Sequence, residues 1–414
     1  MKKKFKFSQI VTPTGKKALK GEEMSRLHII KPGEIIVENG RIVEIGEKTR
    51  DADYCEEYFG KIAIPGLVDA HNHLVYGGKR VNEFEMKLKG VSYMEIAAAG
   101  GGIKSTVKAT RNASKEELFL QSAKRAFFML KNGTTSSEAK SGYGLNLEGE
   151  IKQLEVASLL NEKLPMDIVP VFLGGHDIPP DSKKEDYLEL LEKELIPEVA
   201  RRNLSKYFDA FCENGIYDTK DIERMFKVAK DYGFKLRLHT EEFSHMGGIP
   251  LAVHYGAVSV DHILFADEND VKLLAKSDTV AVIMPSVSFF LRMEKFAPAR
   301  KIIDEGGAVA LGTDLNPGSS PVESMFFPLW FAVFKMGLRM EEAITAATLN
   351  SAHVLGLSET AGSLEPGKKA DFLIIDVEDY REIFYRPSET HIQKVFKEGK
   401  EVFKINSSYF EIGI

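Results

Sequence analysis

Cysteine is nearly absent from these 414 residues, with only Cys55 and Cys212, far apart. That scarcity excludes a disulfide framework and a thiolate metal centre, and fits a reducing, cytoplasmic setting. Basic excess is missing too. Lys and Arg number 55 against 61 Asp and Glu, a formal net charge of −6, so nothing here suits a grip on phosphates and nucleic acid is not an expected partner. Long apolar runs are also lacking. The most apolar window, Phe326 to Phe334, is broken by Pro328 and is far shorter than the roughly 20 residues a membrane helix needs, so no membrane contact is expected. The start, Met1-Lys2-Lys3-Lys4-Phe5-Lys6-Phe7, has charge but no apolar core behind it, and export is not expected. Hydrophobic residues at 43% and charged residues at 28% are ordinary for a folded chain whose partner is a small molecule. The length suits one barrel plus a smaller module.

Between residues 61 and 359, short apolar runs alternate with amphipathic stretches of helical length. The strand candidates are Leu67 to His73, Thr134 to Ala139, Ile168 to Leu173, Tyr207 to Cys212, Lys235 to Thr240, Ala257 to His262, Thr279 to Met284 and Ala308 to Asp314. Helical segments are expected at Ser114 to Asn132, Gly149 to Glu162, Asp186 to Ala200, Asp218 to Tyr232 and Asp267 to Lys276. Repeated β then α predicts a parallel sheet, and eight repeats predict a TIM-like (β/α)8 barrel. A doubly wound open sheet is disfavoured because no phosphate-binding glycine signature follows the first strand. Gly100-Gly101-Gly102 lies in a later loop, as suited to a hinge as to ligand contact. Both ends read as β. Asn39-Gly40 joins two strand-like runs, a hairpin signal, while Ala370 to Asp376 and Val395 to Phe403 read as a strand and a hairpin. Residues 1–60 and 360–414 are expected to form one small β-sandwich domain.

Chemistry collects at the predicted strand ends. The run Ile64-Pro65-Gly66-Leu67-Val68-Asp69-Ala70-His71-Asn72-His73 reads as a strand with Asp69, His71 and His73 on one face. His176, His239, His262 and Asp314 follow at or just past the ends of the third, fifth, sixth and eighth strands. A barrel assembles its active site from such ends, and five histidines out of only 10 at those positions point to a divalent metal. His245, His254, His353 and His391 fall elsewhere and are read as ordinary histidines.

With these residues in view, the chain resembles the amidohydrolase superfamily of metal-dependent hydrolases. The likeness is carried by Pro65 to His73, Leu238-His239-Thr240-Glu241-Glu242, Asp261-His262, Gly312-Thr313-Asp314 and Gly362 to Asp371. Within that superfamily the narrower resemblance is to the imidazolonepropionase family, through Gly100 to Ile103, Lys140-Ser141-Gly142-Tyr143-Gly144-Leu145, Gly174-Gly175-His176 and Asp314 to Ser319. The resemblance implies hydrolysis of the cyclic amide of 4-imidazolone-5-propanoate to N-formimidoyl-L-glutamate, in histidine degradation. It implies one divalent metal, Zn2+ or Fe2+, on His71, His73, His239 and Asp314, a donor set that suits either ion. Glu242, His262 and Asp314 become the acid–base candidates, with Glu241 read as a solvated acid at a helix start. Arg80 would hold the propionate, while Tyr143, His176 and Glu242 are candidate contacts for the ring, Asn316 with the backbone amides near Gly318 and Ser319 would receive polar product groups, and Tyr93 is a weaker addition. Binuclear relatives bridge two metals with a carboxylated lysine or a glutamate at the fourth strand, which here ends in Phe211-Cys212-Glu213-Asn214. Glu213 keeps a second metal formally open, but Lys140 lies at the second strand, the wrong place for the bridge, and one metal is expected. A mononuclear nucleobase deaminase and a non-catalytic scaffold are the alternatives. The first lacks a reason for Arg80, and the second would be expected to have lost a ligand. A homodimer is compatible with all of these readings.

Overall fold

A computed structural model describes residues 1–91, 95 and 101–404, so Tyr93 and Gly100 lie outside the described residues. The chain begins with five strands, β1 (Lys3–Thr12), β2 (His28–Ile30), β3 (Gly33–Glu38), β4 (Arg41–Gly46) and β5 (Tyr54–Pro65). Asn39 and Gly40 adopt φ of 51° and 77°, the paired positive angles that a two-residue hairpin turn demands. Only Gly66 separates β5 from the next strand. Any Cβ there would collide with Thr135.

Eight strands then form the barrel: β6 (Leu67–Asp69), β7 (Thr134–Lys140), β8 (Asp167–Gly175), β9 (Tyr207–Cys212), β10 (Lys235–Thr240), β11 (Ser259–His262), β12 (Val280–Ile283) and β13 (Val309–Leu311). They pair in sequence order, each parallel to the next. Past the ends of β6 and β13 the ring closes through Ala70 N–H to Leu311 O (3.2 Å), Asp314 N–H to His71 O (2.8 Å) and His73 N–H to Leu315 O (3.0 Å). All eight expected strands are present.

The helices follow their sequence signals. Ser114, Asp218 and Asp267 each cap a helix with a reciprocal bond from the third residue, starting Lys115–Lys131, Thr219–Asp231 and Glu268–Lys276. The segment expected as one helix from 186 to 200 instead runs as Lys184–Leu190, a wider turn at Leu191–Leu195, and Ile196–Arg201. Pro197, with no N–H to offer the preceding turn, accounts for the widening.

One expectation fails at the first barrel strand. Regular alternation stops at Asp69 rather than His73, because the chain turns there to meet β13. The Asp69 carboxyl accepts from Asn72 Nδ2 (3.1 Å) and from the Thr313 amide (2.9 Å) and hydroxyl (2.6 Å). It therefore joins neither histidine side chain and instead pins the seam of the barrel.

The C-terminal strands β14 (Phe372–Ile375), β15 (Ile392–Lys397) and β16 (Lys400–Lys404) return to the first sheet, in the order β16-β15-β14-β5-β1-β3-β4 with β2 on β1. Phe5 of β1 meets Phe396 of β15 at 5.2 Å between ring centroids, although two strands lie between them. The sheet therefore curls with an apolar filling, so that the small β domain expected from the two ends is one curved sheet rather than two stacked ones. Phe372 stacks on Phe396 at 4.5 Å and meets Phe5 edge-on at 5.3 Å.

Phe372→Ala should cost about 3–5 kcal/mol of unfolding free energy, read by urea denaturation. Phe59→Ala, at a side chain 78% exposed, should leave the midpoint nearly unchanged.

Candidate functional site

At the C-terminal mouth of the barrel, β6, β10, β11 and β13 deliver His71, His73, His239, His262 and Asp314 to one buried point. His71, His73 and His239 each offer a donor atom within 4.8 Å of the others, and so do His71, His262 and Asp314. Asp314 Oδ1 lies 3.4 Å from His71 Nε2 and 3.3 Å from His73 Nε2. His71 Nε2, His239 Nε2 and Asp314 Oδ1 are buried and have no hydrogen-bond partner among the described residues. Glu241, His262 and Asp314 turn out of their strands at φ of 50°, 76° and 51°. Non-glycine residues pay of order 1–3 kcal/mol each for such a conformation, and the cost clusters where function needs it.

The far ring nitrogens are held from below. His71 Nδ1 meets Asp261 Oδ2 at 2.7 Å and His239 Nδ1 meets Asp209 Oδ1 at 3.1 Å. A carboxylate behind an imidazole fixes its tautomer and aims the other nitrogen, the usual arrangement of metal-binding histidines. Burial lowers His239 to about 4 and also lowers His73, which keeps both rings neutral as ligation requires. His71, between Asp261 and Asp314, is raised against the opposing effects of burial and Lys140.

The other expected residues fall around this cluster. His176 stacks on His73 at 5.0 Å, and Tyr143 lies 5.4 Å from His73 and 5.3 Å from His176, ring to ring. Glu242 Oε2 is 3.6 Å from His262 Nε2. Burial, then the neighbouring Asp314 and Glu213, push its carboxyl well above the usual range. Arg80 is tied to Glu83 (2.7 Å) and lies against Gly318, where any Cβ would collide with its guanidinium. The amides of Gly318 and Ser319, expected as free donors, are both given to Asn316 Oδ1 at 2.8 Å. Asn316 Nδ2 and Ser319 Oγ in turn hold Asp314 Oδ2, at 2.9 and 3.2 Å. Glu213 is engaged by other groups, accepting from the Phe243 amide (2.9 Å) and the Ser244 hydroxyl.

Glu241 corrects its sequence reading. It is fully buried rather than solvated, since it turns inward from the strand end. It does serve a helix start, accepting from the amides of Met246 and Gly248 at 3.2 and 2.9 Å.

Residues 62–402 match the model of the amidohydrolase family. The chain belongs to the amidohydrolase family. It is 44% identical to the imidazolonepropionase of Geobacillus kaustophilus over 97% of both chains. With the imidazolonepropionase of Kosmotoga olearia it shares 44% identity over 96% of this chain and 97% of that one. Among solved structures, E. coli guanine deaminase superposes with a TM-score of 0.72 at 17% identity, covering 98% of this chain and 100% of its own. That likeness is one of fold.

Amidohydrolases are metal-dependent hydrolytic enzymes, and this amidohydrolase has candidate donors for a metal: three imidazoles and one carboxylate, buried and converging, of which His71 Nε2, His239 Nε2 and Asp314 Oδ1 have no other partner among the described residues. The sequence reading missed what lies beneath them. Lys140 Nζ sits 2.6 Å from Asp209, 2.9 Å from Glu138 and 3.5 Å from Asp261. Arg237 bridges Glu138, Asp261 (2.9 Å) and the Ala70 carbonyl (3.0 Å). All five side chains are fully buried. A signal was available: Glu138 and Lys140, and Arg237 and His239, are charged or polar pairs two apart in short strand runs, hence on one face, inside the barrel. Among the described residues, no helix is long and apolar enough to cross a membrane.

Asp209→Asn should lower metal affinity about 10–100-fold, measured by competition with a chelator, because the amide no longer fixes the His239 tautomer.

Proposed function

We propose that this amidohydrolase opens the cyclic amide of 4-imidazolone-5-propanoate, giving N-formimidoyl-L-glutamate, and uses one divalent metal, zinc or ferrous iron, to do so. The observation that carries this reading is similarity to imidazolonepropionases along the whole chain, joined to a site in which every residue the chemistry needs is present.

His71, His73, His239 and Asp314 would hold the metal, which supplies an acidified water at neutral pH and polarises the carbonyl. The remaining work belongs to the chain. Water adds its oxygen to the ring carbonyl carbon, the carbon–nitrogen bond breaks, and the leaving ring nitrogen takes a proton. Glu242 carries that proton. Its raised carboxyl suits a group that must both accept and give a proton near neutral pH. His262, kept neutral by burial, stands beside Glu242 and steadies the developing charge on the carbonyl oxygen. Asp314 has one oxygen pinned by Asn316 and Ser319, so the other is left for the centre.

Recognition rests on the mouth. Arg80 pairs with the propionate through its guanidinium, while Tyr143 and His176 flank the planar ring. Asn316, Gly318 and Ser319 shape the loop that seats Arg80. Nothing in this scheme calls for a second metal, a nucleic acid or a membrane. The cytoplasm is the setting in which such an enzyme would work.

The test is turnover of freshly prepared 4-imidazolone-5-propanoate by zinc- or iron-loaded protein, followed by loss of ring absorbance. Glu242→Gln should lower kcat about 10²- to 10⁴-fold at unchanged metal content. Arg80→Met should act mainly on KM, raising it about tenfold or more, the loss of a charge-assisted pair. Ammonia release from guanine or cytosine, with no turnover of the imidazolone, would replace this reading with a deaminase.

A further inference from the structure

Glu150 and Gln153 are fully buried, one turn apart on the helix Leu147–Lys163, and neither belongs to the metal-type cluster. Their polar ends take up a stretch of backbone instead. Glu150 Oε2 accepts from the Gly142 amide at 3.0 Å, and Oε1 accepts from the amides of Gly144 (2.9 Å) and Leu145 (2.7 Å). Gln153 Oε1 accepts from the Tyr143 amide at 3.1 Å. Four consecutive N–H groups are thus satisfied by two side chains. Gln153 Nε2 also donates to the Val75 carbonyl at 2.6 Å, which ties the same helix to the loop leaving His73.

The loop is shaped to lie on that helix. Gly142 and Leu145 adopt φ of 102° and 48°, and a Cβ on Gly144 would collide with the backbone of Gly149 and Glu150. The arrangement reaches His176 as well. His176 Nδ1 lies 2.9 Å from the Gly142 carbonyl oxygen. A carbonyl only accepts, so Nδ1 carries the proton, and Nε2 is left with its lone pair. The Cβ of a residue at 142 would press on the His176 ring at 3.0 Å, so loop and ring fit each other closely.

We propose that Glu150 and Gln153 are positioning residues that hold the Tyr143 ring and fix the His176 tautomer, and through these two side chains set recognition of a planar ring bearing an N–H. The proposal rests on the reading of Tyr143 and His176 as substrate contacts. Glu150→Gln keeps the shape but turns an NH2 group toward the N–H of Gly142 or of Gly144 and Leu145, donor against donor. The loop must then shift, and Tyr143 and the Gly142 carbonyl shift with it.

The test is a double-mutant cycle on the metal-loaded enzyme with 4-imidazolone-5-propanoate, combining Glu150→Gln with Tyr143→Ala. Glu150→Gln should raise KM about tenfold, the size of one unsatisfied buried donor, with kcat within about threefold and metal content unchanged. In the Tyr143→Ala background the same substitution should add less than about threefold, since both act through one ring. Gln153→Met, which keeps length without either polar end, should behave alike and serves if Glu150→Gln does not fold. An unchanged KM, full multiplicativity of the two effects, or parallel loss of kcat and metal at constant KM would each overturn the proposal while leaving the functional reading intact. If Tyr143→Ala leaves KM as it was, or the wild type does not turn over, the substrate reading falls first and the proposal with it.

Discussion

Two cations beneath the imidazoles, Lys140 and Arg237, hold three carboxylates in place, and the site depends on them. Asp209 and Asp261 could not stay ionised in the barrel interior unaided, yet they must be ionised to orient His239 and His71. Lys140 at 2.6 Å from Asp209 and Arg237 at 2.9 Å from Asp261 supply the compensation, and Glu138 balances the two cations from the other side. A lattice of this kind gives little net stability compared with an apolar filling, but removal of one member leaves a bare buried charge at a cost of about 3–5 kcal/mol. What it supplies is direction. The barrel interior here is a mounting for imidazoles rather than a conventional aliphatic core.

The barrel was legible because its periodicity was strong. Eight short apolar runs and polar helices with Ser or Asp at their starts left little choice, and the strand ends fell within a few residues of expectation. His71, His73, His239, His262 and Asp314 were legible for the same reason, since a strand end in a barrel is already a position in space. The supporting residues were harder to see. Asp209 and Arg237 look like ordinary polar residues until the register sets Arg237 beside both Asp209 and Ser259 on the neighbouring strands. Glu241 misled because a helix-start acid is normally solvated, and only the inward turn of the chain at φ of 50° buries it. The free amides expected at Gly318 and Ser319 failed because an asparagine side chain two or three residues back can claim them, a local competition that composition does not reveal.

The same economy runs through the mouth of the barrel. Asn316 binds its own loop with one end and Asp314 with the other, so that the carboxylate presents a single oxygen to the centre. Gly318 leaves room for Arg80 at the opposite edge. Glu150 and Gln153 do comparable work for the loop carrying Tyr143. The loop carrying Tyr143 is thus backed by buried polar side chains from another element, which is how a site keeps its geometry without relying on loop stiffness alone. The curled terminal sheet, which leads into the first barrel strand through Gly66, adds its own aromatic core and, among the described residues, contributes none of the site side chains named above.

X-ray absorption at the metal edge of the zinc-loaded protein tests the central claim most directly. The account predicts a light-atom shell with imidazole scattering from three histidines and one further oxygen from carboxylate, and loss of one imidazole contribution in His239→Ala. Imidazole scattering unchanged in that variant, or a shell without histidine, would place the metal elsewhere and contradict the account.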